Sequence, residues 1–518
     1  MPVEPRDKRS SEFAFRPVGR FLRSNWFAVV LVSALLLVQC FWHSRIQAGD
    51  LGSHVYNAWL AQLIEHHQIS GLMIARQGSN VLFDLLLLHT ANLAGFVAAE
   101  KIVVGLAVLV FFWGSFSFLA AASGRPPWLL MPFLFVLSYG YVFHMGFMNY
   151  YLSIGLALFA LALSWRGEAG NWLAAVALSA VSFLAHPLGF LLAATVSAYI
   201  WIWRILPRWW RLAVPALALT GLVALRFFFA SHQAFEADWR ATGFLQLLGQ
   251  DQLNLFGRRY EILSWVALAW GTVCALAAIY DWSFREKVPS ATLRLALELY
   301  LVAVVATFCL PENLRTNIYA GWIGLLVSRL TLVTAIFALL ILASLRLPRW
   351  SAYGASLLGA VFFLFLYQDT GKLDRMEANA RVVVQQLPAG TRIVAVANPP
   401  GDWRIEFIHH SIERACIGRC FSFANYEPSS LQFRIRALPG GFFVTDSADK
   451  SEAMSNGEYL VQKDDLPLTS IYQCDDADFT RLCAHALREG QKAEDPEDDP
   501  VPDPISDSSP KAVSQPQN

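Results

Sequence analysis

The sequence predicts an all-α polytopic membrane protein with a small α/β soluble domain near its C-terminal end. Three observations predict this. Of 518 residues, 55% are hydrophobic and only 15% are charged, against about 25% charged in soluble proteins. About eleven segments approach the roughly 20 apolar residues needed to cross a bilayer core. The hydrophobic excess ends before residue 370, and charge then returns. The composition excludes a disordered chain. With Lys plus Arg at 40 and Asp plus Glu at 40, no basic excess is left for nucleic acid. Aromatic residues reach 14%, including 18 Trp, as expected of side chains that settle at membrane interfaces.

Residues 1–25 form a basic leading segment with Arg6, Lys8, Arg9, Arg16, Arg20 and Arg23. The first span, Trp26–Trp42, is longer than the apolar part of a signal peptide and reads as a retained anchor. Residues 43–101 form a long first loop. Further spans are predicted at Ile102–Ser123, Trp128–Phe143, Tyr151–Trp165, Trp172–Ala185, Leu188–Ile205, Leu212–Ala230, Ile262–Tyr280, Leu295–Leu310, Leu330–Leu345 and Ala352–Tyr367. Arg125, Arg166, Arg204, Arg208, Arg211, Arg285, Lys287, Arg346 and Arg349 then share one side with the leading segment, which the positive-inside rule makes cytoplasmic. The membrane domain covers 26–368. An odd number of spans puts the chain beyond residue 368 in the periplasm, if the membrane is a bacterial inner membrane.

The soluble domain, 369–489, predicts a helix at Leu373–Gln386, a buried strand at Arg392–Ala397 and a second helix at Ile405–Cys416. Further strands are expected at Phe442–Thr445 and Tyr459–Gln462. Residues 490–518, acidic and proline-rich, predict a disordered tail. Cys40, Cys274 and Cys309 lie in spans, where a thiol is a small apolar filler. Cys416, Cys420, Cys474 and Cys483 lie in the soluble domain, and an even count outside the cytoplasm predicts two disulfides. Four cysteines allow three pairings; proximity favours Cys416–Cys420 and Cys474–Cys483. Their spacings form no familiar zinc ribbon, and His66-His67 and His409-His410 lack a third ligand at recognisable spacing, so no metal site is assigned.

The first loop carries the chemistry. Asp50 and His54 stand four residues apart at the mouth of the first span. Val55, Trp59, Leu60, Leu63 and Ile64 repeat at helical spacing, predicting an amphipathic helix in the interface plane. A second interfacial helix, Val81–Val97, carries Asp84, His89 and Asn92. Asp before such a helix is also a common N-cap, so Asp50 has a structural alternative. An Asp amid LFDLLLL is costly unless paired or facing a wet cavity, so Asp84 is either a structural partner or a second acid.

This arrangement resembles the GT-C superfamily of polyprenyl-phosphate-sugar-dependent glycosyltransferases, of the protein mannosyltransferase and aminoarabinose transferase kind. The resemblance covers residues 20–370 as architecture and residues 48–105 as pattern. It places Asp50, in GDLGSHVYNAWLAQLI, at the catalytic-carboxylate position. The family often has paired acids in this loop and a basic residue where Glu100-Lys101 stand. It implies a general base, Asp50, assisted by His54 or Asp84, taking a proton from the acceptor. It also implies cationic groups on the departing phosphate, and Lys101, Arg258, Arg259, Arg315 and Arg329 are the candidates. Tyr56, His144, Asn149 and His186 are candidate substrate-facing residues. The implied donor is a polyprenyl-phosphate-linked sugar. The acceptor, whether glycan, lipid or protein, and any divalent metal stay open. A transporter or flippase of an envelope substrate, or a non-catalytic assembly protein, are the alternatives. No G-x-x-x-x-G-K-[ST], H-E-x-x-H or G-x-S-x-G is present, which argues against an ATP-driven pump, a zinc protease and a common hydrolase.

Overall fold

The computed structural model describes residues 16–167, 169–232, 235–239, 243–285, 291–316, 322–345, 347–430, 432–475 and 477–493. Of the expected acidic tail, 490–518, all but residues 490–493 lie outside them, as do residues 1–15 of the leading basic segment. Helix α1 (Arg16–Phe41) opens the chain. Helices α2 (Leu51–Glu65) and α3 (Leu82–Ala94) fill the first loop, where the sequence predicts the two interfacial helices. The membrane domain continues with α4 (Phe96–Ser123), α5 (Met131–Ser138), α6 (Tyr141–His144), α7 (Met148–Arg166), α8 (Ala169–Ala185), α9 (Pro187–Ile205) and α10 (Ala213–Ser231). Then come α11 (Phe244–Leu248), α12 (Arg258–Arg285), α13 (Ala291–Cys309), α14 (Leu326–Ser344) and α15 (Trp350–Gln386).

Among the described residues, eight helices are long and apolar enough to cross a membrane: α4, α7, α9, α10, α12, α13, α14 and α15. The chain is a multi-pass helical membrane protein. Two further expected spans, Trp26–Trp42 and Trp172–Ala185, coincide with shorter apolar stretches of α1 and α8, Asn25–Phe41 and Gly170–Ala185. One expected span needs correction. The Trp128–Phe143 segment is not one helix but a short turn followed by α5 and α6. Its break falls at Gly140, whose extended backbone starts α6. There the chain is pressed against Gln252, whose amide oxygen accepts from the Val142 N–H at 3.3 Å. The core centres on α4 and α7, where Phe111 stacks on Tyr151 at 4.6 Å.

Helix α15 joins two expected elements, the last span and the Leu373–Gln386 helix, in one rod of 37 residues. It leads into the α/β part expected to be the soluble domain. The strands in chain order are β1 (Leu72–Ile74), β2 (Phe235–Asp238), β3 (Asn313–Thr316), β4 (Trp322–Ile323), β5 (Thr391–Val396), β6 (Cys420–Ser422), β7 (Ile435–Ala437), β8 (Thr469–Gln473) and β9 (Leu482–Ala486). The soluble sheet has the order β6-β5-β8-β9. Strands β6 and β8 run parallel to β5, and β9 runs antiparallel to β8. Short helices α16 (His410–Ala415), α17 (Tyr426–Ser430) and α18 (Ala448–Ser455) complete the domain.

Three local expectations are corrected here. The Ile405–Cys416 helix is confined to α16. Phe442–Thr445 forms no strand, because its apolar side chains pack sideways: Phe443 lies 4.3 Å from Phe421 by ring centroid. Tyr459–Gln462 contributes one bridge, Leu460 opposite Lys492. Both expected disulfides, Cys416–Cys420 and Cys474–Cys483, are formed. Cys40, Cys274 and Cys309 are free and buried.

The α/β part of the chain beyond α15 is locked onto the first loop by three devices. Strand β1 pairs antiparallel with β7, with Met73 opposite Arg436. A buried ionic cluster joins Arg414 of α16 to Glu100 at 3.2 Å and to Glu377 of α15 at 2.5 Å. Arg45 adds contacts to both carboxylates at 3.5 Å. Finally, α2 lies directly against α16, and a Cβ on Gly52 would collide with the His410 carbonyl. Gly52→Ala must therefore push the two domains apart. The expected cost is about 1–3 kcal/mol, typical of overpacking, read as a lowered melting temperature of the full chain.

Candidate functional site

The site is built where the first loop meets the soluble domain. Asp50 is the residue before α2, yet its side chain makes no capping hydrogen bond and its own backbone is already helical. The N-cap alternative is therefore not realised. The Asp50 N–H donates to the Met145 carbonyl at 3.0 Å. Gly146, with φ +82°, allows this approach, since a Cβ there would collide with the Asp50 nitrogen. The carboxylate turns instead to α16: Asp50 Oδ1 lies 3.4 Å from His410 Nε2. His410 Nδ1 is 2.6 Å from Glu413 Oε2. The Ser422 hydroxyl donates to Glu413 Oε1 at 2.6 Å.

One helical turn past Asp50, His54 Nδ1 pairs with Asp84 Oδ1 of α3 at 2.6 Å. Asn149 of α7 holds this pair from behind. Its Nδ2 donates to Asp84 Oδ2 at 2.7 Å, and its Oδ1 accepts from the Phe83 N–H at 2.9 Å. Glu427 of α17 closes the other side, accepting from the Ser53 hydroxyl at 3.0 Å. Asp84 and Glu427 line a small pocket of about 20 Å³ with Asn57, Phe433 and Arg434.

Arg329, in the first turn of α14, interacts electrostatically with this group. Its guanidinium lies 4.2 Å from the Phe147 ring centroid and 5.7 Å from that of Tyr150. Asp50, Tyr150, Tyr141 and Tyr426 are its electrostatic neighbours. Arg329 Nε is buried with no hydrogen-bond acceptor among the described residues. Leu325, in the left-handed region at φ +56°, sets the start of α14 and hence the direction of Arg329. The Leu325 N–H donates to Asn313 Oδ1 at 3.0 Å, which secures that turn.

The electrostatics arise from these pairs. Burial would depress the His54 imidazole, but the charge and hydrogen bond of Asp84 outweigh it and hold His54 up at about 9. Burial also opposes charge on His410, and Glu413 with Asp50 overcomes it, to about 10. His409 is pushed down to about 3 by burial and by the neighbouring His410. Burial pushes the Glu427 carboxyl up to about 7, opposed by the charge of His54. A raised histidine stabilises the fold below its ordinary value and loses that contribution as pH rises through its folded value. The His54–Asp84 pair therefore stabilises fully below about pH 6.5 and fades through about pH 9. The melting temperature of His54→Gln is expected to lie below that of the wild type at acidic pH. The gap should close above about pH 9.

Of the expected site residues, Asp50, His54, Asp84, Asn149 and Arg329 meet here. His186 stands at the edge: its ring lies 5.5 Å from Tyr150, and its Nδ1 caps α9 through the Leu188 N–H at 3.2 Å. The others have separate partners. Tyr56 is fully buried and its hydroxyl accepts from the Ser422 N–H at 2.9 Å, so it supports the domain contact rather than facing substrate. His144 is buried against the Gln47 carbonyl at 3.1 Å. Lys101 donates to the His43 carbonyl at 3.2 Å. Arg259 pairs with Asp369 and Gln368 on α15, and the Arg258 N–H donates to Asp402 at 3.4 Å. Arg315 sits on β3 opposite Glu236. None of these last four cations contacts the Asp50 group among the described residues.

His410, Glu413, Tyr426 and Glu427 join the site without a prediction from the sequence. One signal is present: Glu413 comes three residues after His410, the spacing that puts both on one face of a helical turn. Nothing in the chain's pattern points to Glu427. No group of three metal-ligating side chains exists among the described residues. Comparison with protein-family models, with curated proteins and with solved structures finds no match.

Proposed function

We propose that the chain is a membrane glycosyltransferase of the GT-C kind. It moves a sugar from a polyprenyl-phosphate donor to an acceptor at the periplasmic face of a bacterial inner membrane. One observation carries the reading: Asp50, which caps nothing, sits at a polar site within electrostatic reach of the buried Arg329. This is the pairing that base-assisted transfer from a phosphate needs. The acceptor hydroxyl or amine bonds to the anomeric carbon. Its proton goes to Asp50, and the anomeric C–O bond breaks with its electrons leaving on the polyprenyl phosphate. Arg329 stabilises that phosphate. His54, charged by Asp84, stands one turn from Asp50, and Tyr150 and Tyr426 flank Arg329.

A lipid tail also needs an apolar path. A small apolar hollow of about 80 Å³ lies between α5, α12, α14 and α15, lined by Phe133, Leu137, Leu253, Ala267, Leu339 and Leu358. Leu339 lies ten residues beyond Arg329 on α14, roughly 15 Å along the helix axis. A lipid chain running along α14 from a phosphate at Arg329 would pass this hollow. The test is retention of polyprenyl phosphate by the full-length protein in nanodiscs. Arg329→Ala is expected to weaken binding about tenfold or more, the scale of a lost charged hydrogen bond. Arg329→Lys should recover part of it. Equal binding by wild type and Arg329→Ala contradicts the reading.

A further inference from the structure

We infer that His410, brought in by the soluble domain, is a positioning residue for Asp50: an imidazolium clamped between two carboxylates that fixes Asp50 Oδ1 and leaves Oδ2 to the acceptor. The inference rests on the transferase reading for its catalytic meaning, but its geometry stands apart from it. The two ring nitrogens of His410 each face a carboxylate oxygen, Asp50 Oδ1 at 3.4 Å and Glu413 Oε2 at 2.6 Å. A neutral imidazole has one N–H and one lone pair. It would turn its lone pair toward one of these oxygens. Only the doubly protonated ring donates to both. Glu413 cannot swing away, because Ser422 holds its second oxygen.

The groups around the ring agree with a fixed charge. His409 lies at 4.1 Å and Tyr426 at 5.3 Å by ring centroid, with Phe407 at 6.0 Å. His409 is held neutral, and Tyr426 is buried and stays protonated. The charges around the ring are Asp50 and Glu413 on its edges, with Arg329 beyond Asp50 and the His54, Asp84 and Glu427 group on the far side of Asp50 and Tyr426. The soluble domain is then not an appendage. It supplies the group that orients the base, and the ionic cluster around Arg414, four residues on along the same short segment, holds it there.

The test is nitrogen NMR of histidine-labelled full-length protein in nanodiscs, with the His410 signal assigned by its loss in His410→Gln. In the wild type at neutral pH both ring nitrogens of His410 should carry protons. Asp50→Asn, which keeps the side-chain shape, should lower the titration midpoint of His410 by about one to three pH units, the effect of removing an adjacent charge. Glu413→Gln should lower it as well. A neutral His410 ring at neutral pH, or a midpoint unmoved by Asp50→Asn, overturns the inference. With donor present, His410→Gln should lower kcat with little change in KM, whereas a loosened fold would move both. A protein that transfers no sugar yet shows the charged, Asp50-dependent ring refutes the transferase reading and leaves the clamp standing.

Discussion

Asp50→Asn is expected to slow sugar transfer by about 10²–10⁴-fold, the usual contribution of a general base, without unfolding the protein. The amide keeps the size of the carboxylate and the place beside His410 at 3.4 Å, but it cannot take a proton. The side chain makes no capping bond, so helix α2 loses nothing by the exchange. The measurement is the initial rate of polyprenyl phosphate release, paired with a melting curve. A variant that melts with the wild type and transfers at the wild-type rate removes Asp50 from the chemistry. A structural cap would give the opposite result, a shifted melt and an unchanged rate.

The largest effect on stability is expected from Arg414→Ala. Arg414 is 1% exposed and bonds two fully buried carboxylates, Glu100 and Glu377. It also donates to the Ile46 carbonyl at 3.0 Å. Removing it leaves Glu100 and Glu377 with only Arg45 and the partly exposed Arg381 as counter-charges among the described residues. Breaking one side of a buried ion pair costs about 3–5 kcal/mol. The loss should concentrate where the cluster sits, so α16 and the start of α2 should gain amide exchange before the membrane helices do. Uniform exchange across the chain would show that the cluster does not hold the domains together.

The local parts of this site were legible in the sequence because they depend on local spacing. The apolar repeat through Val55, Trp59, Leu60 and Leu63 predicts α2, and Asp50 precedes it by one residue. His54 and Asp84 were each legible as polar residues on the two helices of one loop, but their pairing across 30 residues was not, because it depends on how those helices pack. Arg329 was legible as a charge that an apolar helix cannot leave unused. His410 and Glu427 were not legible, because their approach to Asp50 depends on the β1–β7 pairing and on the Arg414 cluster. Three-residue strands such as β1 and β7 carry too little alternation to be read. The tertiary pairing forms them, not their own propensity. The break at Gly140 was hidden for a related reason. Hydropathy alone cannot distinguish one apolar helix from two short ones bent around a buried Gln252.

The central claim is that the Asp50 group breaks the sugar–phosphate bond of a lipid-linked donor. The most direct measurement tracks that bond in sealed vesicles containing the full-length protein and a polyprenyl-phosphate sugar labelled in both halves. The account predicts that polyprenyl phosphate and sugar separate in equal amounts, and that the separation is lost in Asp50→Asn. Donor that crosses the vesicle membrane with its sugar–phosphate bond intact, at the same rate in the wild type and Asp50→Asn, would contradict it.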